Sequence, residues 1–170
     1  MIEPPTFRAA TPADAERLAS AVVFGLDDYR SFAPEGWEPP AVEAEAEHLI
    51  ALLPDQRVWC LIAELGGRIV GQVTLLPAAL GPRAVEDRRL AHLSNLFVDR
   101  ELWGSGLATA LHAAAVAAAR ERGFGALRLF CAAGQRRARR FYEREGWIVV
   151  SDEFFDPQPS LVLVEYRLAV

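Results

Sequence analysis

Apolar residues recur along the chain with two different periods, and these periods predict where helices and strands lie. In segment 42–53 the apolar residues are three and four positions apart while glutamates occupy the other face, which predicts an amphipathic helix. The runs 57–65 and 68–76 are apolar and rich in β-branched residues, and Gly66-Gly67 between them predicts a tight β-hairpin. Helical and extended segments therefore follow one another in this part of the chain.

The residues before this helix predict a strand, a helix and a loop. Residues 7–10 are typical of a short strand. The segment Thr11-Pro12-Ala13-Asp14 places a capping hydroxyl, a proline and a carboxylate at the start of a helix, which we expect to end near Leu26. Residues 27–40 combine turn-forming and aromatic residues, which predicts a loop between the first two helices.

The C-terminal half alternates strands and helices. The predicted elements are strands at 92–98, 126–131, 147–152 and 161–168 and helices at 104–122 and 135–145. A strand, a long helix and a second strand in succession require a parallel crossover, whereas the hairpins require antiparallel edges. We therefore predict an α/β fold with a mixed, mostly antiparallel twisted sheet, a central parallel β-α-β crossover and helices on both faces, in a single domain over residues 1–170.

Composition narrows the class of protein but assigns no function. The 170 residues are 52% hydrophobic and 24% charged, which fits one globular domain. No apolar run approaches the roughly 20 residues of a membrane span, and the net charge of −5 argues against nucleic acid as a partner. Cys60 and Cys131 lie in apolar runs typical of reduced, buried thiols, and the N-terminal residues lack the pattern of a secretory signal. We therefore expect a cytoplasmic protein, and the dispersed histidines and cysteines predict no metal site.

The turn after the 92–98 strand carries the clearest chemical signal. Gly104 and Gly106 precede a long helix, so backbone N–H groups lie beside the positive end of the helix dipole with no side chain in the way. Such a turn suits a pyrophosphate, although a tight turn that binds nothing has the same glycines. The segment contains neither the Gly-Lys-Ser/Thr of a P-loop nor the third glycine of a dinucleotide-binding fingerprint.

Two motifs in one order give the sequence a specific resemblance. The first is a strand ending in Val98-Asp99 followed by the turn Trp103-Gly104-Ser105-Gly106-Leu107-Ala108, and the second is Ala-Arg-Arg-Phe-Tyr-Glu-Arg-Glu-Gly-Trp at 138–147. Together with the element order, they resemble the GNAT superfamily of acyl-CoA-dependent N-acyltransferases. The motifs span residues 92–147, and the element order covers almost the whole chain. The resemblance implies acetyl-CoA as the co-substrate and no metal.

The resemblance also implies which residues hold the co-substrate. Main-chain amides of the turn would bind the pyrophosphate, the strand before the turn would pair with the pantetheine arm, and arginines of the 135–145 helix would reach the phosphates. The implied residues are Leu96, Phe97, Val98, Trp103, Gly104, Ser105, Gly106, Leu107, Ala108, Thr109, Gln135, Arg139 and Arg140. Trp103 replaces the glutamine or arginine of the family pattern, and Gln135 replaces its asparagine. The arginines are equally compatible with a solvated helix face.

Three residues are candidates for the catalytic chemistry. Tyr142 alone is typical of a half-buried packing residue, but in the family the matching tyrosine protonates the departing thiolate. His92 is the candidate general base, directly or through a water held with Ser94, because its ordinary pKa is about 6.5. A histidine at a strand start that is satisfied by solvent or backbone is the alternative. Strand periodicity places His92, Ser94, Leu96 and Val98 on one face.

The loop between the first two helices is the candidate acceptor site. In the family this connection contributes to acceptor specificity, and here it contains acids among aromatic residues. The candidates are Asp28, Tyr29, Phe32 and Trp37. They suit a cationic amine held by charge and cation–π contact, and equally a solvated loop with hydrophobic anchors. The loop at 156–159 is expected to form a further wall or a dimer contact.

The predicted function is transfer of an acetyl group from acetyl-CoA to a primary amine, directly and within a ternary complex. The expected acceptor is a small molecule or a protein amine, and a homodimer is expected because dimers are common in the family. Two alternatives stay open on the sequence: a non-catalytic acyl-CoA-binding or interaction module on the same fold, and a different nucleotide-binding α/β protein that uses the glycine turn.

Overall fold

A computed structural model describes residues 4–170 of the chain. Its strands are β1 (Thr6–Ala9), β2 (Trp59–Leu65), β3 (Arg68–Pro77), β4 (Leu90–Val98), β5 (Ala126–Ala132), β6 (Ile148–Val149), β7 (Phe154–Asp156) and β8 (Leu161–Ala169). Its helices are α1 (Ala15–Gly25), α2 (Val42–Leu52), α3 (Leu107–Glu121) and α4 (Arg136–Arg144). None of the helices in this described part has the length and apolar character needed to span a membrane.

The strands form one sheet in the order β1-β2-β3-β4-β5-β8-β6, and β7 also pairs with β8. Among the strands of residues 4–170, β4 and β5 are the one parallel pair, and they are joined through α3, as the crossover prediction required. Consecutive residues of β2 contribute to opposite sides: Ile62 packs with α1 and α2, whereas Ala63 packs with α3 and α4. The predicted mixed α/β sheet with helices on both faces is therefore confirmed.

The element boundaries differ from the sequence prediction at three places. The long helix begins at Leu107 rather than at Gly104, because Gly104 and Gly106 adopt φ angles of +80° and +88° outside the helical region. The loop expected at 27–40 begins with a short 3-10 helix over residues 26–31. The strand expected at 147–152 is reduced to β6, and β7 precedes the turn to β8.

Strands β4 and β5 separate soon after they begin. Their pairing ends at His92–Arg128, while β4 stays bonded to β3 as far as Val98 and β5 to β8 as far as Ala132. The sheet therefore has a wedge-shaped gap on the C-terminal side of this pair. The gap brings the ends of two strands to the start of α3 and to α4.

A β-bulge at Asn95 corrects the prediction that four β4 residues share one face. Ser94 pairs with Thr74 and Phe97 with Gln72, so β4 contains one residue more than β3 between these pairs, and Asn95 has a φ angle of +53°. The extra residue reverses the alternation. His92 and Ser94 therefore face α1, and Leu96 and Val98 face α3.

Candidate active site

The gap in the sheet opens into a cleft of about 1550 Å³ that passes between the two helix layers. Nearly all of the predicted site residues line it, from both motifs and from the loop after α1. Those lining residues are Asp28, Tyr29, Phe32, Trp37, His92, Ser94, Leu96, Phe97, Val98, Trp103, Gly104, Gly106, Leu107, Ala108, Thr109, Gln135, Arg140 and Tyr142. Ser105 and Arg139 do not line it.

The glycine turn presents unobstructed backbone to the cleft. A Cβ atom built on Gly104 or Gly106 would meet no atom within 4 Å, and both residues have left-handed φ angles. The first-turn amides of Ala108 and Thr109 belong to the part of a helix that has no intrahelical acceptors. The open side of this turn thus has the room, the donors and the helix dipole that an anionic group requires.

The edge of β4 that faces the gap also offers main-chain groups. The Trp103 Nε1–H donates to the Val98 carbonyl at 3.0 Å, so this carbonyl points away from β3 and toward the cleft. Because backbone groups alternate along a strand, those of Leu96 face the same edge. An extended ligand with amide groups has hydrogen-bonding partners along this edge.

Trp103 lies between two arginines at the mouth of the cleft. The Arg137 guanidinium carbon is 3.3 Å from the centre of its ring system and that of Arg100 is 5.4 Å away. Arg100 is also 3.4 Å from the Asp28 carboxylate, which links the turn to the loop after α1. Where the family pattern has a glutamine or arginine, this chain stacks arginines on a tryptophan. Sequence reasoning favoured Arg139 and Arg140 over Arg137, because helical periodicity did not separate these neighbouring arginines.

Tyr142 is held on α4 between the cleft and the core. Its ring centre is 5.8 Å from that of Trp147 and 6.0 Å from that of Tyr166, and burial raises its pKa well above the ordinary value. The phenol is therefore protonated at neutral pH. Tyr142 lines the cleft, and within residues 4–170 its hydroxyl makes no hydrogen bond.

The structure separates the two arginines that the sequence left equivalent. Arg139 points into the fold, where its Nε donates to the Tyr166 hydroxyl at 3.1 Å and its Nη1 to the Ala133 carbonyl at 3.0 Å. Arg140 lines the cleft and makes no hydrogen bond or ion pair to any described residue. Arg139 does not line the cleft, and two of its five N–H groups are engaged inside the fold, while its contact with the co-substrate stays a prediction.

The environment of His92 differs from the one that the general-base prediction assumed. The residue is 4% exposed, and burial together with the Arg128 charge lowers its pKa to about 3. Its Nδ1 is buried and makes no hydrogen bond to the described residues. A histidine with this pKa is neutral at pH 7 and is a weaker base than the prediction assumed, and the general-base role of His92 stays a prediction.

Arg128 is a second residue that sequence reasoning missed. It is 2% exposed, lies beside His92 in the sheet, and donates to the carbonyls of Arg83 and Ala78 at 3.0 and 3.3 Å. Among residues 4–170 it has no carboxylate within ion-pair distance. The sequence signal that could have identified Arg128 is its position as a charged residue inside the otherwise apolar strand at 126–132. The consequence is a positive charge buried beneath one side of the cleft.

The loop after α1 crosses the cleft, and we name residues 26–37 the strap. Its Trp37 Nε1–H donates to the Pro159 carbonyl at 2.8 Å, and Phe32 lies against Gly134. The Tyr29 ring centre is 4.9 Å from that of Phe32 and 6.0 Å from that of Trp37. The aromatic residues of the strap are therefore packed together. Contacts with Pro159 and Gly134 fix the strap along one side of the cleft.

Two other kinds of chemistry find no support in the part of the chain that the structure describes. No group of three or more histidine, cysteine, aspartate and glutamate side chains there is placed to hold a metal ion. Both cysteines are buried, and burial raises the pKa of the Cys131 thiol to about 12. A thiol with this pKa is not a nucleophile at neutral pH.

Comparisons with known proteins agree with this architecture. Residues 23–147 match the family described as "Acetyltransferase (GNAT) family". The chain is similar in structure to Ard1 from Thermoplasma volcanium, with 19% identity, 99% of each chain covered and a TM-score of 0.72. It is also similar to a GNAT-family acetyltransferase from Staphylococcus aureus Mu50, with 14% identity, 97% of this chain and 98% of that chain covered and a TM-score of 0.76.

A third solved structure is a ribosomal-protein-alanine N-acetyltransferase from Brucella melitensis, with 21% identity, 97% of this chain and 99% of that chain covered and a TM-score of 0.70. No curated protein matches the sequence. At these identities the structural similarities show the fold alone. The family match covers most of the chain, so the protein belongs to the GNAT acetyltransferase family, whose members generally use acetyl-CoA.

Proposed function

We propose that the protein transfers an acetyl group from acetyl-CoA to a primary amine, of a small molecule or of a protein, by direct transfer in a ternary complex. The observation that carries the proposal is the single cleft that joins the glycine turn, the edge of β4 beyond its pairing with β5, and Tyr142. One wall offers anion-binding amides, and the middle offers a protonated phenol. These groups bind the anionic part of the acyl donor and protonate its departing thiolate, which are two of the requirements of thioester aminolysis.

The residues present fit the co-substrate. The open backbone at Gly104 and Gly106 supports binding of the pyrophosphate, since a side chain at either position would fill that space. The β4 edge at Leu96 and Val98 suits the amides of the pantetheine arm. Arg140 and the Trp103 stack supply guanidinium groups for the phosphates, and the chain contains no lysine to replace them.

The chemistry needs one bond made and one bond broken. Acetyl-CoA supplies an activated acyl group, and the amine nitrogen uses its lone pair to form the new N–C bond as the C–S bond breaks. Tyr142 gives its proton to the departing sulfur and is reprotonated from solvent. Because burial makes His92 a weak base, we expect the ammonium proton to leave through water, and Ser94, which lines the cleft, is the residue that we propose to hold that water.

The experiment combines calorimetric binding of acetyl-CoA with release of free thiol in the presence of a panel of amines. Binding together with amine-dependent thiol release supports the proposal. Binding without thiol release for any amine supports the non-catalytic acyl-CoA-binding module instead. Failure to bind acetyl-CoA, with retention of another nucleotide, contradicts both the acetyltransferase and the acyl-CoA-binding module. That result favours a different nucleotide-binding α/β protein that uses the glycine turn.

Two expectations from the sequence stay predictions at this point. One is the homodimer, which sedimentation equilibrium at micromolar protein tests directly. The other is a cytoplasmic location, which fractionation of the native host tests.

A further inference from the structure

The position of the Tyr142 phenol depends on the aromatic rings around it. Its hydroxyl makes no hydrogen bond within residues 4–170, so packing decides where this proton donor lies. The neighbouring ring centres are those of Phe141, Trp147 and Tyr166, at 5.5, 5.8 and 6.0 Å. A catalytic group must be held within about 0.5 Å of its productive position. The contacts that fix these three rings therefore bear on the proposed proton transfer.

Two of the three rings are placed by regular secondary structure, and the third is not. Phe141 precedes Tyr142 on α4, and Tyr166 belongs to β8, whose nine residues pair with β5 on one edge and with β6 on the other. Trp147 lies between α4 and the two-residue β6, outside the paired residues, and only its backbone N–H is bonded to Tyr142, at 3.0 Å from the carbonyl. The orientation of its ring therefore depends on side-chain contacts.

His112 on α3 supplies the contact that fixes the indole of Trp147. Both side chains are buried, and the Trp147 Nε1–H donates to the His112 Nε2 at 2.9 Å. An indole N–H only donates, so this Nε2 carries no proton and the imidazole proton is on Nδ1, which lies 3.7 Å from the Glu145 carboxylate. Burial lowers the pKa of His112, although the Glu145 charge opposes this shift, so the ring is neutral at pH 7 and keeps its acceptor.

We infer that His112 is a positioning residue for acetyl transfer, because its bond to Trp147 fixes the indole against which the Tyr142 phenol packs. The inference rests on the proposed function and adds to it a residue that does not line the cleft. Helix α3 follows the glycine turn directly and carries His112 in its second turn. One helix therefore carries the amides proposed for the pyrophosphate and, through Trp147, orients the proton donor. The bond couples the two parts of the site.

The test is a double-mutant cycle of His112→Leu and Trp147→Phe, in which kcat and the Kd for acetyl-CoA are measured with the best amine of the panel. Each single variant should lower kcat about tenfold and change the Kd by less than about twofold, because the phenol moves and the glycine turn does not. In the Trp147→Phe background, His112→Leu should lower kcat by no more than about twofold, since the bond is already absent. His112→Gln, whose amide oxygen accepts an N–H, should recover part of the loss.

Two further measurements separate positioning from a loss of folded protein. The stoichiometry of acetyl-CoA binding counts the folded molecules, so kcat is expressed per binding site. Ala118→Gly, at a buried position of α3 outside the cleft lining, is the matched control and should lower the thermal midpoint while kcat per site stays unchanged. The Trp147 indole N–H resonance, identified by its absence in Trp147→Phe, should move in His112→Leu and stay in place in Ala118→Gly.

Each outcome separates the inference from the function beneath it. A His112→Leu enzyme with wild-type kcat per site overturns the positioning role and leaves acetyl transfer intact. Losses that multiply in the double variant show two independent packing effects and also overturn it, as does an equal loss in Ala118→Gly. Acetyl-CoA binding by the wild type without thiol release from any amine overturns both proposals.

Discussion

The two ends of the cleft are built in different ways. The co-substrate end comes mainly from a continuous stretch, from the end of β4 through the turn to the start of α3, and it uses backbone groups and open glycines. The acceptor end combines side chains from the strap, β4, β5 and the β7–β8 loop, which are far apart in the sequence. A ligand site made of backbone groups keeps its hydrogen-bonding groups when a side chain changes, as at Trp103. A ligand site made of side chains changes its shape and chemistry with each substitution.

The two ends of the cleft therefore differ in how well the sequence predicts them. A local motif is sufficient to predict a site made of consecutive amides, because the turn itself places them. A wall assembled across the sheet depends on which strands are neighbours and which way their side chains point. Substitutions at the two ends should therefore affect different steps, acetyl-CoA binding at one end and turnover at the other.

The largest effect is expected at the centre of the cleft. Tyr142→Phe should lower kcat about 100-fold or more while acetyl-CoA affinity changes by less than about twofold, because only the proton donor is lost. Steady-state kinetics and calorimetry measure the two quantities.

The matched control is Tyr166→Phe, which removes the hydroxyl of the neighbouring core tyrosine, bonded to Arg139 and Glu143 and outside the cleft. It should reduce stability and leave kcat unchanged. A Tyr142→Phe enzyme with wild-type kcat would remove the tyrosine from the mechanism.

At the co-substrate end, Gly106→Val should weaken acetyl-CoA binding about 100-fold, since its side chain would occupy the open space beside the turn. Part of any change comes from the left-handed φ angle, which a valine tolerates poorly.

Gly123→Val separates the two causes. Gly123 follows α3 with a φ angle of +81°, an equally open Cβ position and no place in the cleft lining. It should destabilise the fold similarly while binding stays normal. Equal acetyl-CoA affinity in both variants would contradict the pyrophosphate assignment.

A smaller effect distinguishes the arginines of α4. Arg140→Met should raise the Kd for acetyl-CoA about tenfold through the loss of a charge-assisted contact, whereas Arg139→Met should leave the Kd unchanged and lower the thermal midpoint. The reason is that Arg139 is bonded to Tyr166 and Ala133 inside the fold. The opposite ranking, measured by calorimetry and thermal unfolding, would return Arg139 to the site.

The smallest effect on activity is expected for His92→Gln. Because the folded pKa of His92 is about 3, the acid limb of kcat/KM between pH 6 and 8 should keep its shape in this variant. Disappearance of a limb near pH 6.5 would restore His92 as the general base.

The same substitution changes how stability depends on pH. The folded pKa of His92 lies below the unfolded value of about 6.5, so the unfolded chain binds a proton that the folded chain does not. Stability from this group is complete above pH 6.5 and falls as the pH is lowered toward 3. At pH 5 the wild type should lose about 2 kcal/mol relative to pH 8 that His92→Gln does not lose.

Urea unfolding at both pH values measures this difference. His48→Gln, at an exposed position of α2, is the matched control and should follow the wild type. Equal pH dependence in the wild type and His92→Gln would contradict the buried, neutral state of His92.

Much of the fold followed from the sequence alone, but one inserted residue changed the site. Strand periodicity predicted β4 correctly and then placed Leu96 and Val98 on the same face as Ser94. The bulge at Asn95 reverses the alternation, and no local signal in an apolar strand identified it. In the same way, helical spacing did not distinguish Arg139 from Arg140, whose surroundings are set by β8 and the turn before α4.

The sequence by itself determined the order of elements, the glycine turn and the position of Tyr142, because these depend on periodicity and on neighbours in the chain. Only the tertiary structure decided that His92 is neutral beside a buried Arg128, that Trp103 lies between two arginines, and that the strap crosses the cleft. Those properties arise from contacts between segments separated by tens of residues, and burial and charge at such contacts have no counterpart in a local pattern.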